Sequence, residues 1–353
     1  MDSDIKFDLR DISIVPTVLS DISSRSECKT TYTNGLLPLM TAPMDTVVSN
    51  KNFLKFVDND IIPCMPRGEY YPAYLLPDDP VVFQAYGLSE IEYDLQTLGD
   101  NRSIRNTERP QYWRYKYVLI DIANGHMQKL IDILKMMKTH TPDVKVMVGN
   151  VGQPLTYKNL AMAGADYVRC SIGTGAGCTT AANVAINYPL GSLISECKTI
   201  KKEGDFETKI VADGGMQGYD DIIKALALGA DYVMVGSLFN KTMQSSGSNH
   251  LWGIKIPFYT AKRLWKWGFP VKKKYRGMST KAVQRKWGKT KLTTAEGITK
   301  YQKVEYNLSQ WRENFEDYFR SNMSYCGSKD LQEFIGEVEW VYITNNALKR
   351  FAK

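Results

Sequence analysis

Short apolar runs recur along the chain, with longer stretches of helical spacing between them. Eight runs stand out: 36–41, 61–65, 81–86, 117–121, 144–149, 167–170, 210–213 and 232–236. Between the fourth and fifth, Leu130, Ile131, Leu134 and Met137 fall at helical steps and lay one apolar stripe along a helix. Strands alternating with helices predict a parallel sheet with right-handed crossovers. Eight such units predict an α/β fold closed into a (β/α)8 barrel of the TIM type, rather than an open doubly wound sheet.

An internal repeat agrees. Ala161-Met162-Ala163-Gly164-Ala165-Asp166-Tyr167-Val168 echoes Ala225-Leu226-Ala227-Leu228-Gly229-Ala230-Asp231-Tyr232-Val233. In each copy a helix is expected to end at glycine and a strand to begin at Tyr-Val, as in successive barrel units.

In such a barrel, chemistry belongs at the C-terminal ends of the strands. Those ends are polar here: Asp121 followed by Asn124, Gly125 and His126; Gly149 to Gly152; Asp213, Gly214 and Gly215; Gly236 and Ser237. After the sixth strand comes Ser171-Ile172-Gly173-Thr174-Gly175-Ala176-Gly177-Cys178-Thr179-Thr180. Its glycines let the backbone turn tightly beside a ligand, and Cys178 stands where a nucleophile is expected. The glycine pairs after strands seven and eight fit a phosphate site built from backbone N–H groups. Gly173-x-Gly175 is no dinucleotide fingerprint, because the third glycine and the following acidic residue are missing. The residues alone therefore indicate a phosphorylated substrate, a cysteine nucleophile and nearby carboxylates.

Composition narrows the setting. No apolar run is long enough to cross a membrane and the N-terminus is charged, so no membrane association is expected. Six cysteines without metal-ligand pairs, and only three histidines, predict a reducing, cytoplasmic environment and no structural zinc. Among the cysteines, Cys170 and Cys197 read as core or surface thiols and Cys326 as a packing residue. The net charge of +7 is concentrated between Ala261 and Arg276, where Trp265 and Trp267 interleave with lysines and arginines. Such interleaving occurs in nucleic-acid binders. It also reads as a solvated, partly amphipathic excursion, and nucleic acid is not the expected partner.

These segments together resemble the IMP dehydrogenase and GMP reductase family. The matching pieces are Thr41-Ala42-Pro43-Met44-Asp45-Thr46-Val47, Ile120 to His126, Val148 to Val151, the Gly173 to Thr180 loop and Ala212 to Gly215. Further along they are Val235 to Phe239, Tyr275-Arg276-Gly277-Met278-Ser279, Ala295-Glu296-Gly297 and Ser324 to Leu331. The resemblance implies a single catalytic domain over 1–353, with 240–297 as a basic insertion after strand eight and a mobile flap. It leaves no room for a tandem regulatory module.

The resemblance further implies a purine mononucleotide, GMP or IMP, in the barrel mouth. Gly214, Gly215, Gly236 and Ser237 would hold its phosphate with Tyr275 nearby, and Asp213 its ribose. Met44, Gly277, Met278 and Ser279 would face the base. Cys178 would attack purine C2, and a nicotinamide cofactor would exchange hydride there, docked near Asp121, Asn150 and Gly152. Arg67 sits where a basic residue after strand two assists catalysis in reductases. His126 is expected to orient backbone near Asp121. The resemblance also offers Gly173, Gly175 and Cys178 as a site for a monovalent cation such as K+, and implies a homotetramer.

Two reactions divide the family. The dehydrogenase oxidises IMP to XMP with NAD and needs an Arg-Tyr pair on a long flap. The interval from Met278 to Ala295 is short and lacks that pair, and Arg114-Tyr115 precedes strand four. The reductase deaminates GMP to IMP and ammonia with NADPH, and Thr180 and Glu296 occupy the positions that handle its leaving group. The reading is therefore a reductase. The alternatives are an NAD-dependent IMP dehydrogenase and a catalytically silent barrel that binds purine nucleotides. The chain departs from reductases at Thr293, Thr294 and Ala295, where an arginine and a serine are common, and at Asn240-Lys241-Thr242.

Overall fold

In the computed structural model, residues 5–72, 80–100, 114–287, 290–291, 294 and 296–351 are described. Eight parallel strands form the central sheet: β1 Leu39–Thr41, β2 Cys64–Met65, β3 Phe83–Tyr86, β4 Tyr117–Asp121, β5 Lys145–Val151, β6 Tyr167–Cys170, β7 Lys209–Asp213 and β8 Tyr232–Val235. Each strand pairs with the next from β2 to β8, and β8 pairs back with β1. The ring closes through a bridge from Met40 to Ile62 and a bond from Cys64 N–H to Thr41 Oγ1 at 2.8 Å. All eight coincide with the apolar runs, because strands covered on both faces read as continuous hydrophobic segments.

Helices cover the outside. Gln128–His140 buries Leu130, Leu134 and Met137 as the spacing predicts, together with Ile133, while the expected Ile131 is only partly buried against the core. Near the C-terminus, Leu308–Cys326 turns Trp311, Phe315, Phe319 and Met323 inward at four-residue steps. Between the chain ends, Ile12–Ile14 pairs antiparallel with Trp340–Tyr342.

The internal repeat is one local machine used twice. Helix Pro154–Met162 stops at Gly164 (φ +95°) and Tyr219–Ala227 stops at Gly229 (φ +112°). In both, the next N–H reaches back five residues, Ala165 to Leu160 and Ala230 to Ala225, closing a Schellman turn. Asp166 then accepts the Val146 N–H and pairs with Lys138 and Lys145, while Asp231 accepts the Ile210 N–H and pairs with Lys201 and Lys209. One difference from expectation emerges. The copies lead into β6 and β8, so they are separated by a full unit rather than successive.

After β8 the chain leaves the barrel and forms a second, antiparallel sheet of β9 Asn249–Leu251, β10 Ile254–Ile256, β11 Lys272–Arg276 and β12 Thr299–Lys303, in the order β10-β9-β11-β12. Helix Phe258–Lys266 packs Ala261, Leu264 and Trp265 into a small core with Met243, Val271 and Val304. The basic excursion is thus folded, and it brings Tyr275 back over the barrel mouth.

Candidate functional site

The C-terminal strand ends open into a cavity of about 530 Å³, of ordinary size for a small-molecule site. Every residue assigned above to catalysis, substrate, cofactor or cation lines it except Gly152, and His126 also stands outside it. Gly152 instead donates its N–H to His126 Nε2 at 3.0 Å, while His126 Nδ1 meets Thr156 Oγ1 at 2.9 Å. His126 therefore does orient backbone, but on the strand after the one expected. Burial pushes its imidazole pKa down. Arg114-Tyr115 precedes β4 and neither residue lines the cavity; Tyr115 is buried against Tyr71.

Cys178 is half-buried at the end of the glycine loop. Its thiol donates to Thr180 Oγ1 at 3.2 Å, and that hydroxyl donates to Glu296 Oε2 at 2.5 Å. Three side chains thus form one hydrogen-bonded line from sulfur to carboxylate. Backbone contacts fix the line: Thr179 N–H to the Glu296 carbonyl (2.8 Å), Ile298 N–H to the Gly177 carbonyl (3.0 Å), and a bridge between Cys178 and Gly297. The approach is close enough to require glycine. A Cβ on Gly277 would stand 2.6 Å from the Gly177 carbonyl oxygen. The loop also bonds to itself, with Cys178 N–H on the Gly175 carbonyl at 2.8 Å. Carbonyls are the donors that K+ takes. The Gly175 carbonyl accepts one hydrogen bond here, which leaves a second lone pair for such an ion.

Behind the thiol lies an ionic layer that sequence reading missed. Arg169, within the apolar run of β6, bonds Asp121 Oδ1 at 2.6 Å and Asp213 Oδ2 at 2.8 Å. Its side chain is only 6% exposed. Burial alone would lower its pKa, but the two carboxylates outweigh it and raise the guanidinium above its usual range. Asn150 Nδ2 adds a 2.7 Å bond to the same Asp213 oxygen. The available signal was a lone cation inside a buried strand, with aspartates ending the apolar runs 117–121 and 210–213.

On the flap side, Arg67 bonds Glu90 at 3.1 Å and lies over the Trp287 ring at 4.4 Å. Trp287 and Gln284 line the cavity and were not anticipated. Arg67 Nε and Trp287 Nε1 are buried without a hydrogen-bond partner among the described residues. Below them, Asp45 pairs with Arg276 and with Lys286 (3.3 Å), tying helix Lys281–Lys286 to the barrel. Thr293 and Ala295 lie outside the described residues. Opposite, Ser237 Oγ donates to Gln302 at 3.1 Å. Tyr275 is buried, which raises its phenol pKa.

Cys170, Cys197 and Cys326 do not line the cavity. Cys170 and Cys197 are buried with their sulfurs 3.9 Å apart. Cys326 packs against the core, and burial raises its pKa to about 11.

Fold and site together define a barrel enzyme whose cavity is built around one thiol. The chain belongs to the IMP dehydrogenase / GMP reductase family, whose domain matches residues 114–351. It is 28% identical over 353 residues to a GMP reductase of Staphylococcus aureus (strain MRSA252), covering 96% of this chain and 97% of that one. It is also 33% identical over 233 residues to an inosine-5'-monophosphate dehydrogenase of Chlorobaculum parvum (strain DSM 263 / NCIMB 8327), covering 66% of this chain and 46% of that one. Among the described residues, no helix is long and apolar enough to cross a membrane.

Proposed function

We propose that the protein is a GMP reductase, converting GMP, NADPH and a proton to IMP, ammonia and NADP+. The observation that carries this reading is the Cys178–Thr180–Glu296 line. A thiol that adds to purine C2 next to a hydroxyl–carboxylate pair can pass a proton to the departing amine. The Cys178 sulfur bonds to C2, a proton travels through Thr180 to the 2-amino group, and ammonia leaves. NADPH, when bound, supplies hydride to C2. The C–S bond then breaks, which returns the thiolate and leaves a C2–H. C2 is reduced by two electrons and the cofactor is oxidised by two.

The remaining residues take binding roles in this reading. Gly214, Gly215, Gly236, Ser237 and Tyr275 hold the phosphate, Asp213 the ribose, and Met44 with Gly277, Met278 and Ser279 the base. The wall of Arg67 and Trp287, with Asp121 and Asn150 nearby, suits a nicotinamide. It offers an aromatic face and two buried donors that lack an acceptor among the described residues. Gly152 is left as backbone support. Residues 1–353 act as one catalytic unit, cytoplasmic and assembled as a homotetramer.

The dehydrogenase reading rests on the 33% identity to the Chlorobaculum parvum enzyme, but the short flap interval offers no Arg-Tyr pair to activate water. Mass spectrometry of a quenched GMP reaction tests the covalent route. A nucleotide adduct is expected on the peptide carrying Cys178. Turnover by Cys178→Ala at the parent rate would overturn it.

A further inference from the structure

The antiparallel sheet outside the barrel has two unlike faces. Its strand β11 turns Lys273 and Tyr275 inward, where both are buried and Tyr275 lines the cavity. Lys272 and Lys274 point to the other side. Register fixes what stands beside them, because directly opposed residues share a face. One row runs Lys255, His250, Lys272, Lys303, and the next pairs Lys274 with Tyr301. Lys255, Lys272 and Lys303 are exposed, and Tyr301 is 51% exposed with its ring 4.7 Å from His250. None of the four lysines has a carboxylate partner among the described residues.

Three features mark this face as more than a solvated surface. From Lys241 to Ala295 the chain carries fourteen lysines and arginines and no aspartate or glutamate, against a net charge of +7 for the whole protein. Lys272 also sits directly opposite Lys303, a like-charge pairing that weakens a sheet. At the nearby hairpin tip Trp252 is 76% exposed and held at φ +50°, a conformation that bulky side chains avoid. The fold thus retains local costs to keep cations and aromatic rings outward.

We propose that the outer face of β9–β12 binds single-stranded nucleic acid, with the lysine rows on the phosphates and Tyr301 stacking a base. An open sheet face that joins a basic surface to an exposed ring is a stacking platform for unpaired bases. Four strands spaced about 4.8 Å apart give room for roughly two to four nucleotides. A membrane surface is the poorer occupant, because the rows alternate charge with rings and present no continuous apolar stripe.

The test is fluorescence anisotropy with a labelled single-stranded oligouridylate, the matched duplex, and phosphatidylserine vesicles as competitor. Binding to the single strand should fall with salt at a log–log slope of about −3, as expected for four lysines on phosphates. Tyr301→Ala should weaken it by about tenfold. Lys303→Glu should abolish it while melting no lower than the parent, since the new carboxylate faces Lys272. That separates lost binding from lost folding. The proposal is overturned by no binding at low salt, by equal affinity for duplex, by indifference to both substitutions, by displacement with the vesicles, or by competition with GMP, which would place the strand in the barrel mouth.

Discussion

Thr180 Oγ1 stands 2.5 Å from Glu296 Oε2 and 3.2 Å from Cys178 Sγ, so one hydroxyl joins the thiol to a carboxylate 116 residues away in sequence. A structural hydroxyl would not need the carboxylate, and a surface carboxylate would not need the hydroxyl. Thr180→Ala and Glu296→Gln should each lower kcat for GMP by about 10²- to 10⁴-fold, the range of general acid–base catalysis. GMP affinity, measured by calorimetry, should change little. Weakened binding with unchanged kcat would assign the pair to holding substrate instead.

The Arg169 bridge makes a different prediction. Arg169→Met leaves Asp121 and Asp213 facing each other without their cation, so chemical denaturation should show a loss of about 3–5 kcal/mol. Arg169→Lys should recover part of this, because an ammonium cannot make the same two directed bonds. Equal stability of Arg169→Met and the parent would mean that the aspartates find other partners.

Trp287 should matter for the cofactor rather than the nucleotide. Removing its ring in Trp287→Ala takes away the surface under Arg67, an interaction of about 0.5–2 kcal/mol. The KM for NADPH should rise by about 2- to 30-fold with the KM for GMP held. A rise in both would show that the indole supports the whole mouth.

Lys273 gives the pH signature. Burial lowers its pKa to about 7, with its ammonium on the Ser245 carbonyl at 2.7 Å. In the unfolded chain the same group holds its proton to about pH 10.4. Between those values the unfolded state binds the extra proton, so this group's contribution makes stability rise with pH from about 7 to about 10. Below pH 7 both states are protonated and the contribution is flat. Denaturation of the parent and Lys273→Met across this window should show the rise only in the parent. Parallel pH profiles would contradict the assignment.

What the sequence discloses follows from how strongly each position is constrained locally. Parallel strands buried on both faces announce themselves, so all eight were readable, and with them the polar strand ends that meet at the cavity. Arg169 was hidden by the same logic, because an apolar run reads as core and only tertiary structure shows that one member is a cation between two aspartates. Trp287 reaches the cavity through a contact with Arg67 that spans most of the chain. Gly152 and His126 follow strand ends as expected, yet they bind each other outside the cavity. The two repeat copies share their glycine stop and their aspartate, which is local chemistry, and that similarity says nothing about how many strands lie between them.

One assay bears most directly on the reductase reading: the four pairings of GMP or IMP with NADPH or NAD, followed by absorbance and ammonia release. The account predicts NADPH oxidation only with GMP, with one ammonia per cofactor consumed. Cofactor reduction that depends on IMP, with no GMP-dependent oxidation, would contradict it.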